Sequence, residues 1–181
     1  FWRNAIQSMY LNGGGNFPSS ILEVGAGTGS NLMAISGVYD QYSQAVSSPQ
    51  LYATEINEKA RKILKFNVPT VQIIDNLEQL NRPFVDLAFT YGVLIHIHPA
   101  HRLSLMKQIY NASRRWICCI EYFAPELRPL EYRGEKEALW LDDYGSVWLD
   151  NFAVRSVCHV FCWKRTSGLD NVTFWVMEKC H

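Results

Sequence analysis

The sequence lacks an excess of charge of either sign: 17 lysines and arginines face 17 aspartates and glutamates, for a formal net charge of zero. That excludes a broad basic face, and with it the usual grip on nucleic acid, whose affinity comes from neutralised phosphates. Also lacking is any apolar run near the ~18 residues of a membrane span, because charged residues and breakers interrupt each one. No C-x-x-C pair occurs among the five cysteines, an odd number, and Cys118 and Cys119 lie inside an apolar run as small buried hydrophobes. A reduced, cytoplasmic chain is expected. Cys158, His159 and Cys162, with Cys180 and His181, fall partly on a strand-like stretch where packing outweighs a zinc site, so no metal is expected. The chain opens on Phe1 rather than Met, without a basic segment leading into an apolar one; a trimmed N-terminus and no signal peptide are expected. What is present is apolar: 48% hydrophobic and 13% aromatic residues in 181 exclude disorder and suit one domain over 1–181.

Short β-branched runs alternate with helical patterns, which predicts an α/β fold with a mostly parallel, doubly wound sheet and helices on both faces. A helix is expected over Phe1–Leu11, stopped by Gly13-Gly14-Gly15, then a strand over Ile21–Val24 and a helix over Ser30–Ile35. Residues 37–50 are polar and turn-prone and suggest a surface insertion before the second strand, Leu51–Thr54. Asn57 is placed to cap a helix that turns Ala60, Ile63 and Leu64 inward. Further strands are expected over 71–74, 85–90 and 116–123, with a helix after Pro99 carrying Leu103, Met106, Ile109 and Tyr110 at helical spacing. Past Pro125 come a loop through Gly134, a helix near Asp142–Leu149, and two runs, 153–161 and 172–177, that close the sheet as an antiparallel pair, making seven strands.

The chemistry concentrates at Ile21-Leu22-Glu23-Val24-Gly25-Ala26-Gly27-Thr28-Gly29, where a buried strand runs into a glycine turn and a helix. Glycines there allow a tight turn and a close backbone approach to a ligand, and the helix N-terminus offers free N–H groups. Glu55 ends the second strand, where a carboxylate can accept both hydroxyls of a ribose. Glu23 separates ligand classes, since an acid before the turn suits a cationic or amino-bearing ligand and repels a pyrophosphate.

Glu23-Val24-Gly25-Ala26-Gly27-Thr28-Gly29 followed by Glu55 resembles the first two motifs of the Rossmann-like (class I) S-adenosylmethionine-dependent methyltransferases. Val85-Asp86-Leu87-Ala88-Phe89-Thr90-Tyr91-Gly92-Val93-Leu94 is similar to their fourth-strand motif, whose loop flanks the methyl donor. Four stretches further resemble the methylases associated with pseudaminic acid biosynthesis: 89–97, Ile120-Glu121-Tyr122-Phe123, Tyr132-Arg133-Gly134 and 174–179. That likeness covers most of residues 20–180. Members of the family usually carry a further N-terminal stretch that can lid the cofactor, and a shorter segment at 37–50.

The resemblance implies methyl transfer from S-adenosylmethionine, with S-adenosylhomocysteine as product, to an O or N nucleophile of a small polar acceptor such as a nonulosonic-acid-type sugar or its precursor. Glu23, Gly25, Ala26, Gly27, Thr28, Gly29 and Asn31 would hold the amino acid part of the donor, and Glu55 with Ile56 the ribose. Asp75 or Asn76 would face adenine, while Tyr91, Gly92 and Val93 pass beneath through their backbone. His96, an imidazole one helical step after that loop, is a general-base candidate near the methyl group, or else it fills the pocket; Tyr122 is the other catalytic candidate. Glu121, Tyr132 and Arg133 are candidate acceptor contacts, Arg133 offering a planar fork to a carboxylate. His98 and His101 are expected on solvent.

Three other readings compete. An amino-directed nucleic acid methyltransferase usually shows an acidic residue or Asn, two prolines and an aromatic after the fourth strand, where this chain has Thr90-Tyr91-Gly92-Val93. Tyr132 and Lys136 give the Tyr-x-x-x-Lys spacing of short-chain dehydrogenases, but after a proline-broken loop and beside a differently spaced glycine turn. A non-catalytic donor-binding domain acting through a partner is the third.

Overall fold

In the computed structural model, which describes every residue except Leu80, Asn81, Arg133, Leu169 and His181, apolar runs and helical patterns alternate as the sequence predicts. The elements are α1 (Trp2–Asn12), β1 (Ser20–Val24), α2 (Ser30–Asp40), β2 (Gln50–Thr54), α3 (Glu58–Asn67), β3 (Gln72–Ile73), β4 (Val85–Tyr91), α4 (Pro99–Ala112) and β5 (Ser113–Glu121). They continue with β6 (Arg128–Tyr132), β7 (Glu135–Leu141), α5 (Tyr144–Asn151), β8 (Val154–Cys162), α6 (Lys164–Ser167) and β9 (Val172–Lys179). Seven strands form one sheet in the order β3-β2-β1-β4-β5-β9-β8, with β6 and β7 as a separate hairpin. β1 to β5 are parallel; β9 runs antiparallel between β5 and β8. None of the described helices is long and apolar enough to cross a membrane.

Side-chain alternation along the strands divides the core into two layers. Ile21, Phe89, Cys118 and Ile120 pack with Trp2, Ile6 and Met9 of α1, Leu32 and Ile35 of α2 and Leu64 of α3. Their sequence neighbours Leu22, Ala88, Ile117 and Cys119 turn the other way, onto Met106 and Ile109 of α4 and Tyr144 and Trp148 of α5. Two ionic contacts tie separate elements together. Arg115 on β5 donates to Glu178 on β9 at 2.7 Å and to the carbonyls of Asn12 and Gly13, each at 3.2 Å, which satisfies acceptors left over at the C-terminal end of α1. Arg102 of α4, almost wholly buried, pairs with Asp142 at 2.5 Å just before α5.

Five local expectations are corrected. α2 runs on to Asp40 instead of stopping near Ile35, because Val38 and Tyr39 are buried and the Tyr39 hydroxyl donates to the Pro18 carbonyl at 2.5 Å. The segment 37–50 is therefore helix at its start, and Tyr42 and Val46 beyond it also pack on the core. On α3, capped by Asn57 as predicted, Leu64 is buried while Ile63 is 48% exposed: the helix rests on a narrow stripe. Leu103 likewise faces outward at 45%. The expected loop after Pro125 is the β6–β7 hairpin; β6 is exposed at every position, so it carries no alternating apolar signal.

Candidate functional site

β1 lies between β2 and β4, where successive crossovers leave in opposite directions and a crevice opens at the strand ends. The chain reverses there: the N–H groups of Gly25 and Ala26 both donate to the Thr54 carbonyl at 2.9 Å. Gly25 and Gly27 have φ of +74° and +55°. A Cβ on Gly25 would stand 2.7 Å from Val93 Cγ2, whereas one on Gly27 would meet nothing within 4 Å. Gly25 is thus a packing position against the loop after β4, and Gly27 faces open space. Thr28 offers its carbonyl to Asn67 at 2.9 Å, and a Cβ on Gly29 would collide with Leu64, so the far side of the turn is fixed by α3.

On one side of Gly25 lies a cleft of about 480 Å³ bordered by Phe1, Trp2, Glu23, Gly27, Asn31 and Tyr91. Trp2 donates to the Asn31 side-chain oxygen at 3.2 Å, and Asn31 in turn donates to Glu23 Oε1 at 2.8 Å. Glu23 is 1% exposed and its Oε2 has no hydrogen-bond partner among the described residues. Burial pushes its pKa up to about 8; the Asn31 bond opposes this and the nearby Glu55 charge adds to it. On the other side of Gly25 is a cleft of about 300 Å³ with Glu55, Ile56, Asp75, Asn76 and Val93 in its wall. Glu55 Oε2 accepts the Gly27 N–H and Oε1 the Asn57 N–H, both at 2.7 Å, so the acid locks the glycine turn to the start of α3. Asp75 pairs with Arg61, and Asn76 caps the short turn after it by accepting the Glu78 N–H at 2.8 Å. Ile56 is fully exposed.

A third cleft, of about 240 Å³, shares Tyr91 with the first and is lined by Gly92, Ile95, His96, Glu121, Tyr122 and Asp170. Glu121 is fully buried and accepts the N–H groups of Val93, Leu94 and Ile95 at 3.0–3.3 Å. Its pKa is about 7, raised by burial and drawn back by those bonds. The Tyr122 hydroxyl donates to Asp170 Oδ2 at 2.7 Å; burial and then that carboxylate push the phenol up to about 12. Asp170 is held below the ordinary carboxylate range, first by Lys164, which donates to Oδ1 at 2.9 Å, then by Tyr122. His96 ends a 3₁₀ turn over 94–96 with an exposed side chain. His98 and His101 are exposed, as expected. Tyr132 is 45% exposed on β6, and Arg133 lies outside the described residues.

The structure thus spreads most of the predicted residues over three clefts linked by Gly25 and Tyr91, while Thr28, Gly29 and Tyr132 are not in their walls. Sequence reasoning missed Trp2, which reaches the site from a helix far from any motif, and Asp170, which sits in a polar turn. Only the crossing of β5 and β9 brings Asp170 beside Tyr122.

No family model and no curated protein matches the chain. Solved structures match it in fold. The 1,6-didemethyltoxoflavin-N1-methyltransferase of Burkholderia thailandensis, with 1,6-didemethyltoxoflavin and S-adenosylhomocysteine bound, aligns with a TM-score of 0.72 at 15% identity over 99% of this chain and 78% of that one. The magnesium protoporphyrin IX methyltransferase of Synechocystis, with S-adenosylmethionine bound, gives 0.68 at 14% over 98% and 79%. A glycopeptide N-methyltransferase complexed with S-adenosylhomocysteine gives 0.67 at 7% over 98% and 89%. At such identities the likeness establishes the fold: Rossmann-like, of the kind found in class I S-adenosylmethionine-dependent methyltransferases, as the sequence predicts.

Proposed function

We propose that the chain is an S-adenosylmethionine-dependent methyltransferase acting on an O or N nucleophile of a small polar acceptor. The observation that carries this reading is the buried Glu23 oxygen, without a partner among the described residues, beside the open face of Gly27, where an ammonium group would supply the missing donor. The residues present fit the donor. Glu23 and Asn31 would hold its amino acid part, Gly27 would let it approach the backbone, and Glu55, whose two oxygens each keep a free lone pair, would take the ribose hydroxyls. Bound there, the donor supplies an electrophilic sulfonium methyl.

The chain's own contribution is positioning. Tyr91 stands between the donor cleft and the smaller cleft, so an acceptor seated among His96, Tyr122 and Asp170 would lie next to the donor. His96 would receive the proton of the nucleophile. Tyr122 serves as a hydrogen-bonding group, since a phenol pushed up to about 12 stays protonated at neutral pH. The sequence resemblance extends the acceptor to a nonulosonic-acid-type sugar or its precursor, and the absence of a net basic charge supports small molecules over nucleic acid.

Calorimetric titration with S-adenosylmethionine, S-adenosylhomocysteine and NAD tests the cofactor. The first two are expected to bind at micromolar concentration, NAD not at all, and Gly27→Arg to abolish the binding. Equal binding to Gly27→Arg, or binding of NAD alone, would overturn the assignment.

A further inference from the structure

The loop in the wall of the 240 Å³ cleft has no backbone N–H to spare for a ligand. Every backbone N–H along its loop is already taken: Gly92 by the Ile120 carbonyl at 2.9 Å, Val93, Leu94 and Ile95 by Glu121, and His96 by the Val93 carbonyl at 3.0 Å. Tyr122 gives its proton to Asp170, so its oxygen offers lone pairs only. Asp170 is a carboxylate, and no lysine or arginine is among the described lining residues; Lys164 pairs with Asp170 Oδ1 but does not line the wall. The Tyr91 phenol and the His96 ring, each able to donate as well as accept, are the side-chain donors the described wall keeps. With a carboxylate at Asp170 and only lone pairs on the Tyr122 oxygen, the wall favours a group that brings its own donors and carries no negative charge.

We propose that the acceptor is an amine, recognised in this cleft by Asp170 and the Tyr122 oxygen, with Asp170 setting the preference for nitrogen over carboxylate-bearing acceptors. The inference rests on the methyltransferase reading and narrows it. An amine arrives as the ammonium ion and releases one proton to His96. Its nitrogen lone pair then forms the N–C bond to the methyl group as the S–C bond breaks, and that electron pair stays on sulfur. The products are the methylated ammonium and the neutral thioether, and the proton leaves His96 for solvent. A sugar acceptor would, on this argument, present an amino group here rather than its carboxylate.

Three probes of one ring size, cyclohexylamine, cyclohexanol and cyclohexanecarboxylate, separate the possibilities by binding alone. They are titrated into protein saturated with S-adenosylhomocysteine while the ring resonances of His96 and Tyr122 are followed by NMR. The amine is expected to bind at least about tenfold more tightly than the alcohol, the margin of a charge-assisted over a neutral hydrogen bond, and the carboxylate to bind more weakly still. Asp170→Asn should remove the amine's advantage. Lys164→Ala, a change at an exposed side chain, should increase it several-fold by leaving Asp170 uncompensated.

Equal binding of amine and alcohol, or no amine binding at all, overturns the proposal. So does a preference for the carboxylate, the outcome that Arg133 holding an acid would produce. If S-adenosylhomocysteine itself does not bind, the cofactor reading has failed instead. The titrations are then run on Glu23→Gln protein, whose empty donor cleft no longer attracts an amine, and the same outcomes decide.

Discussion

Asn31 donates to one oxygen of Glu23 at 2.8 Å and leaves the other buried, with no partner among the described residues. The residue that best fits a cationic ligand is therefore one the ligand-free protein tolerates only by keeping it protonated, with a pKa of about 8 against an ordinary 4.5.

This has a sign for stability. Between 4.5 and 8 the folded chain holds a proton on Glu23 that the unfolded chain has released. Stability should therefore fall as pH rises across that window, by up to about 1.4 kcal/mol per pH unit, and level off above it. Glu121, at about 7, adds a second loss over the lower part of the same window. Urea denaturation across the window should show the decline, and Glu23→Gln should flatten it to the Glu121 contribution.

Ligand binding should run the other way. An ammonium group favours the ionised form of Glu23, so S-adenosylhomocysteine should displace a proton and bind more tightly as pH rises towards 8. Calorimetry in buffers of different ionisation enthalpy reads that proton directly, and Glu23→Gln should abolish its release.

The two glycines of the turn should respond differently to alanine. Gly27→Ala meets no atom and carries only the left-handed backbone penalty, about 1 kcal/mol. Gly25→Ala adds the collision with Val93 Cγ2 and should cost about 2 kcal/mol more. Val93→Ala should recover part of the second loss and none of the first, a comparison accessible by chemical denaturation of the single and double variants.

Glu121 holds the loop after β4 by three N–H bonds. Its replacement by alanine would orphan them and should cost about 3 kcal/mol, together with a loss of donor affinity as Gly92 and Val93 shift. Glu121→Gln keeps an acceptor oxygen and should retain most of the stability. Thermal unfolding and the calorimetric affinity for S-adenosylhomocysteine separate the two effects.

His96 and Tyr122 should divide between kcat and KM. Once an acceptor is in hand, His96→Ala should lower kcat at least about tenfold with little change in the acceptor KM. Tyr122→Phe should keep kcat and raise the acceptor KM, because the phenol is protonated throughout the neutral range. Full activity of His96→Ala at all pH values would remove His96 as the base.

The strand-turn-helix at 20–30 was legible because its signal is local: a buried apolar run, glycines at fixed spacing and a helix start. Glu55 was legible for the same reason, as the acid closing β2. Where the outcome depends on a distant partner, the sequence is mute. Val38 and Tyr39 extend α2 because Pro18 and the sheet receive them, and Ile63 faces outward because α3 touches the core through little more than Leu64. Glu121 reads as an edge ligand, yet its carboxylate points at backbone N–H groups 26 to 28 residues earlier in the chain. The hairpin at 128–141 escapes because a strand exposed at all positions has no hydrophobic period to find.

β9 lies between β5 and β8 although it follows both in the chain. Until residues 172–179 emerge during synthesis, β5 presents an open edge and β8 has no neighbour to pair with. The strand that completes the sheet also supplies Glu178 to the Arg115–Glu178–Arg155 cluster and Val172 to the small cleft. A nascent chain arrested before Val172 would hold every residue of the glycine turn and lack part of the wall of the small cleft.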